Sequence, residues 1–407
     1  MGKNPSILFI GWYFYPKLGG VETVMITQIK YLLQKGYRIS VLTSPVLGLS
    51  SDGRFGKAQV FRRDFINSGK EFPKKVIEDG LNEIIKKTKP DLIHFHNGSY
   101  PAGSNDMNAG ARNIIKMYKF LRSKGLPLID HAHNAQLKNP NATAQLRELD
   151  WDCLICVSNF VVSEWKKLGY KAKKTIVAYN GVDIKRFASV QPEQKIVSLK
   201  RGEIKTVFFP ARVLSISTGQ MSKQKNFSLL LDACRMLISK GENKFYLVAI
   251  LNESMYQDGS NKVYIELNKY IKSAKLEDNV VFIKEVMPEN MPKYYAAVDV
   301  VCVPSIKECF ALVYLEAMAS GKIPIATATG GSVEAIKNGQ NGFLVDSDNP
   351  KILASVLLKI INNKYDLKKI GQNGKKTIRE KFNIKNMMTP VEKIYHQLIS
   401  QERICQK

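Results

Sequence analysis

Residues 307–336 read KECFALVYLEAMASGKIPIATATGGSVEAI. Two glutamates, Glu308 and Glu316, stand eight apart around an apolar segment, and a glycine turn follows each half, at Gly321 and at Gly330–Gly331. "FALVYLEAMASG" has the period of a short helix closed by glycine, and "KIPIATAT" reads as a strand. A helix feeding an apolar strand of this kind belongs to a parallel sheet covered on both faces. Two carboxylates inside such a segment either serve chemistry or are ordinary helix charges, and the rest of the chain has to decide between them.

Outward from this stretch the alternation continues. Upstream, "KTVFFPAR", "KFYLVAIL", "NVVFIKEV" and "DVVCVPS" read as strands, separated by the helical "NFSLLLDACRMLISKG", "KVYIELNKYIKSAKL" and "MPKYYAAV". Downstream, "KILASVLLKIINN" closes as a helix and "IKNMMTPVEKIYHQLISQERICQK" is a final one. Residues 187–203 are polar, lack periodicity and read as a linker. Before them the strands "ILFIGWYFY", "RISVLTS", "DLIHFHN", "LPLIDHAHN", "CLICVSN" and "TIVAYNG" alternate with helices such as "VETVMITQIKYLLQKG" and "KKVIEDGLNEIIKKTKP". The expected fold class is therefore α/β: two doubly wound, Rossmann-like domains, residues 1–190 and 191–384, followed by a C-terminal helix over 385–407. Parallel sheets bind ligands at the carboxyl ends of their strands, which is where "FHN", "HAHN" and "YNG" fall.

Composition narrows the function. The 407 residues are 44% hydrophobic, enough for two cores, and no run approaches the roughly 18 apolar residues of a transmembrane helix. "SILFIGW" near the N-terminus reads as a first strand and not as a signal peptide. The six cysteines are scattered; Cys153 and Cys156 form a CxxC with no second pair and are expected as packed thiols. Free thiols and no export signal favour a cytoplasmic protein. The net charge of +25 fits either a polyanionic partner or a general bias toward lysine. No nucleic-acid signature accompanies it, and aromatic residues are not interleaved with basic ones, so no nucleic acid is expected. The basic segments 113–125 and 164–174 are read either as solvated helix faces or as peripheral contacts with an anionic membrane at the inner face of the cell membrane.

Taken in order, the motifs resemble those of the retaining GT-B glycosyltransferases of family four (GT4), over nearly the whole chain. The resemblance runs through GGVE at 19–22, DLIHFHN at 91–97, HAHN at 131–134, CVSNF at 156–160, YNGVD at 179–183, FPAR…KQKN at 209–226, the stretch from Val303 to Ile336, and NGFLVD at 341–346. It implies two domains facing a cleft, the first binding the acceptor and the second the donor, with the last helix crossing back to pack on the first. It implies transfer of a hexose or N-acetylhexosamine from a nucleotide-diphosphate sugar, with a UDP-sugar the commonest donor, to a hydroxyl of a glycan, a lipid-linked saccharide or a small aglycone. No cofactor is implied beyond the substrate nucleotide. No metal is implied either, since no DxD-type acidic pair ends a strand and cations can neutralise the diphosphate.

The resemblance also assigns roles. Arg212 and Lys225 clamp the diphosphate, as a planar fork and a point charge; the connection between them is longer than usual for the family, and Lys223 competes with Lys225. Gly19 and Gly20 bring backbone amides to the ligand. Glu308 orients hydroxyls of the donor sugar with the amides of Cys309, Phe310 and Ala311, and Glu316 grips the ribose diol. Ala311 stands where the family usually has glycine, and Asn252 and Lys284 replace glycines near the base. His133 is matched to the family's active-site histidine, hydrogen-bonding the transferring sugar. His131 is expected on the opposite side of the chain end from His133, and His94, His96, Asn97, His131 and Asn134 are expected to touch the acceptor, with loops 46–72 and 97–112 around it. A sugar-nucleotide epimerase on the same fold and a basic nucleic-acid or membrane binder are the alternatives.

Overall fold

The computed structural model describes residues 4–17, 19–66, 69–99, 107–135, 145–200, 202–211, 224–251, 260–284 and 286–405. The chain divides into two compact units, residues 1–180 with 384–407, and residues 181–383.

The first unit is built from β1 (Ser6–Gly11), α1 (Gly20–Gln34), β2 (Arg38–Thr43), β3 (Asp52–Phe55), β4 (Ala58–Arg62), α2 (Lys74–Thr88), β5 (Leu92–His96), α3 (Met107–Ser123), β6 (Leu128–Ala132), β7 (Cys153–Cys156), α4 (Asn159–Lys167) and β8 (Thr175–Val177). Its sheet has the order β3-β4-β2-β1-β5-β6-β7-β8. All neighbours are parallel except β3 and β4, which form a hairpin across Gly56–Lys57. β1, β5, β6 and β7 are buried along their whole length, as strands covered on both faces must be. Cys153 and Cys156 are buried in β7, and burial pushes the Cys153 thiol up to about 12.

The second unit begins with α5 (Ile184–Phe187) and α6 (Gln194–Val197). It continues through β9 (Lys205–Phe209), α7 (Phe227–Ser239), β10 (Phe245–Leu251), α8 (Ser260–Ser273), β11 (Val280–Lys284), α9 (Met291–Ala297), β12 (Val300–Val303), α10 (Leu312–Ala319), β13 (Ile323–Thr327), α11 (Ser332–Ala335), β14 (Phe343–Val345), α12 (Pro350–Ile361) and α13 (Leu367–Glu380). Its six strands are all parallel, in the order β11-β10-β9-β12-β13-β14. The last helix, α14 (Ile384–Cys405), belongs to the first unit: Tyr31 donates to Glu392 at 3.0 Å, and Tyr395 on α14 is fully buried.

Three local differences from the sequence reading have physical causes. The units divide at residue 180, not 190, because the polar stretch expected as a linker folds onto the second unit. There, Val182 N donates to Phe382 O and Glu193 N to Lys293 O, each at 3.0 Å, and Ile196 is fully buried. The hairpin β3–β4 carries little apolar periodicity, and in helix α13 the buried face, Ile370, Gly371, Gly374 and Ile378, is half glycine. α13 is polar and contains Gly371 and Gly374, whose missing side chains let it lie directly on α10. A Cβ on Gly371 would come within 2.3 Å of Gly321 O, and one on Gly374 within 3.3 Å of Met318.

The Gly330–Gly331 turn does the same for the loop after β12. Gly330 has φ +61°, and Gly331 N donates to Glu308 O at 2.8 Å. A Cβ at 330 would lie 1.9 Å from Glu308 O, and one at 331 the same distance from Cys309 O. Neither obstacle is a movable side-chain end. Gly331→Ala is expected to destabilise the second unit by about 1–3 kcal/mol, read as a lower urea midpoint; an unchanged midpoint would show that the 308–311 loop is free to shift.

Candidate active site

In each sheet the strand order reverses beside one central strand. β1 lies between β2 and β5, and β9 lies between β10 and β12. The crevice at such a switch point, outside the carboxyl ends of the strands, is where open α/β sheets bind ligands. The residues singled out from the sequence gather at these two places.

In the second unit, β12 ends at Val303 and the chain runs through Pro304–Ala311 into α10. Glu308, 9% exposed, accepts from Lys225 Nζ at 2.6 Å and from Ser305 Oγ at 3.2 Å. Lys225 immediately precedes Asn226, whose left-handed backbone (φ +53°) and bond to Ser347 O at 2.8 Å fix the entrance to α7. The pair therefore joins the loop after β9 to the loop after β12. Ala311 is the N-cap of α10 and offers no side-chain oxygen to the first amides of the helix, which leaves those N–H groups suited to an anion. Cys309 is half-buried, and the Phe310 ring packs against Phe382 with centroids 5.4 Å apart. Arg212 and Lys223 lie outside the described residues, as does Asn252.

Glu316 projects from α10 and accepts from Tyr295 Oη at 2.7 Å. Burial pushes its carboxyl above the ordinary range, while the bond from Tyr295 and the charge of Arg186 pull the other way. Tyr295 is itself fully buried, and its phenol is pushed well up by burial and by the Glu316 charge. Tyr295 and Arg186 were not legible as site residues, since each sits in a different segment from Glu316 and meets it only through the fold; Ser305, three residues before Glu308 in the same loop, was legible but not singled out.

In the first unit, Gly19 is the N-cap of α1 and a Cβ on Gly20 would meet nothing within 4 Å. Protein packing therefore does not require glycine at 20, and the space in front of the helix is unfilled by described residues. At the ends of β5 and β6, His94, His96 and His131 are 0, 1 and 0% exposed, and His133 is 7%. His131 and His133 lie on the same side, their rings stacked with centroids 4.4 Å apart. The opposite-sides expectation fails because residues i and i+2 of an extended chain share a face. His133 Nε2 contacts His96 Nδ1 at 2.9 Å, and burial lowers the His133 imidazole to about 3.

Asn97, in a left-handed conformation (φ +59°), accepts from His133 N at 2.9 Å and donates its own N–H to His131 O at 2.9 Å. Asn97 thus clamps the two strand ends together. Asn134 is half-buried, and its carbonyl accepts from Trp165 Nε1 at 2.8 Å. His94, His96 and His131 are interior groups, which corrects the expectation that they touch an acceptor. Asp130, not singled out in the sequence, accepts from Gly98 N at 2.7 Å and Ser99 N at 2.9 Å, and burial raises its carboxyl to about 6.

Two switch points in two parallel sheets, one carrying a lysine–carboxylate pair at the head of a helix, describe a GT-B glycosyltransferase. This chain belongs to that class: residues 204–377 match the model of the family described as Glycosyl transferases group 1, and residues 18–186 that of Glycosyltransferase Family 4. Spore coat protein SA of Bacillus subtilis is 27% identical over 319 residues, 75% of this chain and 78% of that protein. Sucrose-phosphate synthase from Thermosynechococcus elongatus superposes with a TM-score of 0.77 at 18% identity, covering 98% of this chain and 100% of that one. Anabaena HepE, in complex with UDP-glucose, superposes with a TM-score of 0.73 at 20% identity over 96% and 99% of the two chains. Among the described residues no helix is long and apolar enough to cross a membrane.

The raised carboxyl of Glu316 has a consequence for stability. A group whose pKa is higher folded than unfolded adds stability below its unfolded pKa and loses it as pH rises through the folded one. Glu316→Gln keeps the shape and the acceptor for Tyr295 but removes the charge. It is expected to raise the melting temperature at pH 8, with the advantage shrinking as the pH is lowered and Glu316 takes up its proton. A variant less stable than wild type at pH 8 would mean that Arg186 and Tyr295 outweigh desolvation.

Proposed function

We propose that the chain transfers a hexose or N-acetylhexosamine from a nucleotide-diphosphate sugar, a UDP-sugar first among them, to an acceptor hydroxyl, retaining the anomeric configuration and using no metal. The observation that carries this reading is the Lys225–Glu308 pair, held between the two switch-point loops at the N-terminus of α10. Charge develops on the diphosphate as the glycosidic bond breaks, and fixed cations and helix amides are the groups that stabilise it. Lys225 supplies one cation; Arg212, next after the strand β9 segment, supplies the second by its place in the sequence. Glu308 then turns to the sugar hydroxyls, helped by the amides of Cys309 to Ala311. Glu316, steadied by Tyr295, accepts from the ribose diol.

In the retaining step the acceptor oxygen bonds to the anomeric carbon on the face from which the phosphate oxygen leaves. The acceptor proton passes to that departing oxygen, and the nucleoside diphosphate is released. His133 has its Nε2 occupied by His96, so contact with the transferring sugar falls to Nδ1. The acceptor is a glycan, a lipid-linked saccharide or a small aglycone. The reading needs no membrane surface: in the basic segments, Lys116, Arg122, Lys167, Lys171 and Lys173 are already paired with carboxylates.

Calorimetric titration with UDP, GDP, ADP and UDP-glucose tests the donor. Saturable UDP binding, at least tenfold weaker in Glu316→Ala, is the expected result; no binding of any nucleotide or sugar nucleotide to the wild type would overturn the reading. Once a donor–acceptor pair is found, Lys225→Ala is expected to lower kcat by about 100-fold or more, and proton NMR of the first product should show the donor's anomeric configuration.

A further inference from the structure

The histidines of the first unit form a group that the transfer reaction does not use. His94 and His96 on β5 and His131 on β6 share one face of the sheet, between the Gln28 side chain of α1 and the Tyr395 side chain of α14. Their rings stack, with centroids 4.8, 5.4 and 5.1 Å apart for the pairs 94–96, 94–131 and 96–131. One ring nitrogen from each lies within 4.8 Å of those of the other two. All three Nδ1 atoms are engaged: His94 with Tyr395 Oη, His96 with His133 Nε2 at 2.9 Å, and His131 with the Gln28 amide at 3.3 Å. All three Nε2 atoms are buried and, among the described residues, meet no hydrogen-bonding partner.

A neutral imidazole carries one N–H and one lone pair. The Tyr395 oxygen and His133 Nε2 can each accept an Nδ1–H, and a half-turn of the Gln28 amide puts its oxygen, itself buried without a partner, on the third. Each Nε2 then presents a bare lone pair to the interior. Burying an unsatisfied acceptor is costly, and three at one place call for a common acceptor of electron pairs. The pattern, with ring Nδ1–H held by a neighbour and Nε2 free, is the one that orients histidine for a metal. Burial also holds these imidazoles neutral, the form that ligates.

The donor set excludes some ions. Three imidazoles without a carboxylate suit zinc and its late first-row neighbours, not magnesium or calcium. Asp130 is not a fourth ligand: it precedes His131 on β6, so its side chain points to the opposite face of the sheet. Ligands at about 2.0–2.1 Å from a tetrahedral ion stand about 3.4 Å apart, closer than the 4.8 Å that spans one ring nitrogen of each histidine here, so the rings draw in on the ion.

We propose that His94, His96 and His131 bind one zinc or similar divalent ion in the interior of the first unit, as a structural site. The ion ties β5 to β6 directly and, through Gln28 and Tyr395, fixes α1 and α14 against them. It also sets a tautomer: His96 donates its Nδ1–H to His133 Nε2, so the His133 proton resides on Nδ1.

The test uses full-length protein without a polyhistidine tag, whose own imidazoles would bind the same ions. Metal content is measured after purification without chelator. The chelator-treated protein is then titrated with zinc by calorimetry and with cobalt by visible absorption. One equivalent per chain, a tetrahedral cobalt spectrum and a higher melting temperature with zinc are expected. His94→Gln and His131→Asn should abolish the equivalent, and Gln28→Leu should weaken it by about 10–100-fold. Folded wild type that binds no zinc, a cobalt spectrum like that of the aqua ion, or unchanged stoichiometry in folded ligand variants would each overturn the proposal. If the ligand variants do not fold, the ¹⁵N spectrum of labelled histidine in the wild type decides: three Nε2 resonances must move with one equivalent of zinc, and a spectrum that does not move refutes the site.

Discussion

Two carbonyl oxygens occupy the places where side chains of residues 330 and 331 would begin. That exclusion presses the turn before α11 onto the backbone of Glu308 and Cys309, and the amide of Gly331 holds it there. The loop after β12 is thereby fixed on both sides, by the turn and by α10. Its rigidity aims the Glu308 carboxylate at Lys225, and the same loop delivers α10 and Glu316 to their places. A glutamate on a free loop could reach a lysine, but it would lose side-chain and backbone entropy each time it did so.

The two glutamates illustrate opposite electrostatic solutions. Glu308 is ionically paired and hydrogen-bonded, so its charge is answered within the protein. Glu316 has one phenol and a more distant guanidinium, and its desolvation is not fully answered. On the proposed function, the hydroxyls of a diol would replace the water that this carboxylate has lost. The unbound protein bears that cost, which is the ordinary exchange of stability for function at a binding site.

Much of this was legible in the sequence. Long apolar strands bounded by glycine and proline gave the two parallel sheets, and the eight-residue spacing of Glu308 and Glu316 placed one before a helix and the other on it. What escaped had physical reasons. α13 keeps helical spacing at its buried positions, but two of the four are glycine, which thins the apolar stripe while letting the helix pack closely on α10. The segment 187–203 is anchored by backbone hydrogen bonds and one buried isoleucine, which leave no pattern in composition. The histidines were visible as residues near strand ends but not as interior groups. Their burial depends on Gln28 and on Tyr395, the latter some three hundred residues away. Tyr295 and Arg186 reach Glu316 in the same long-range manner.

The first unit is discontinuous, its sheet made from the first 180 residues and one of its covering helices from α14. Until that helix emerges from the ribosome, β5 lacks the cover of Tyr395, which is fully buried against His94 in the finished protein. The second unit has every one of its strands in hand some forty residues earlier, at β14. The half of the protein that is translated first is thus the half completed last, and the histidine-bearing face of its nascent sheet spends most of synthesis without its second covering helix, at the stage when chaperones act.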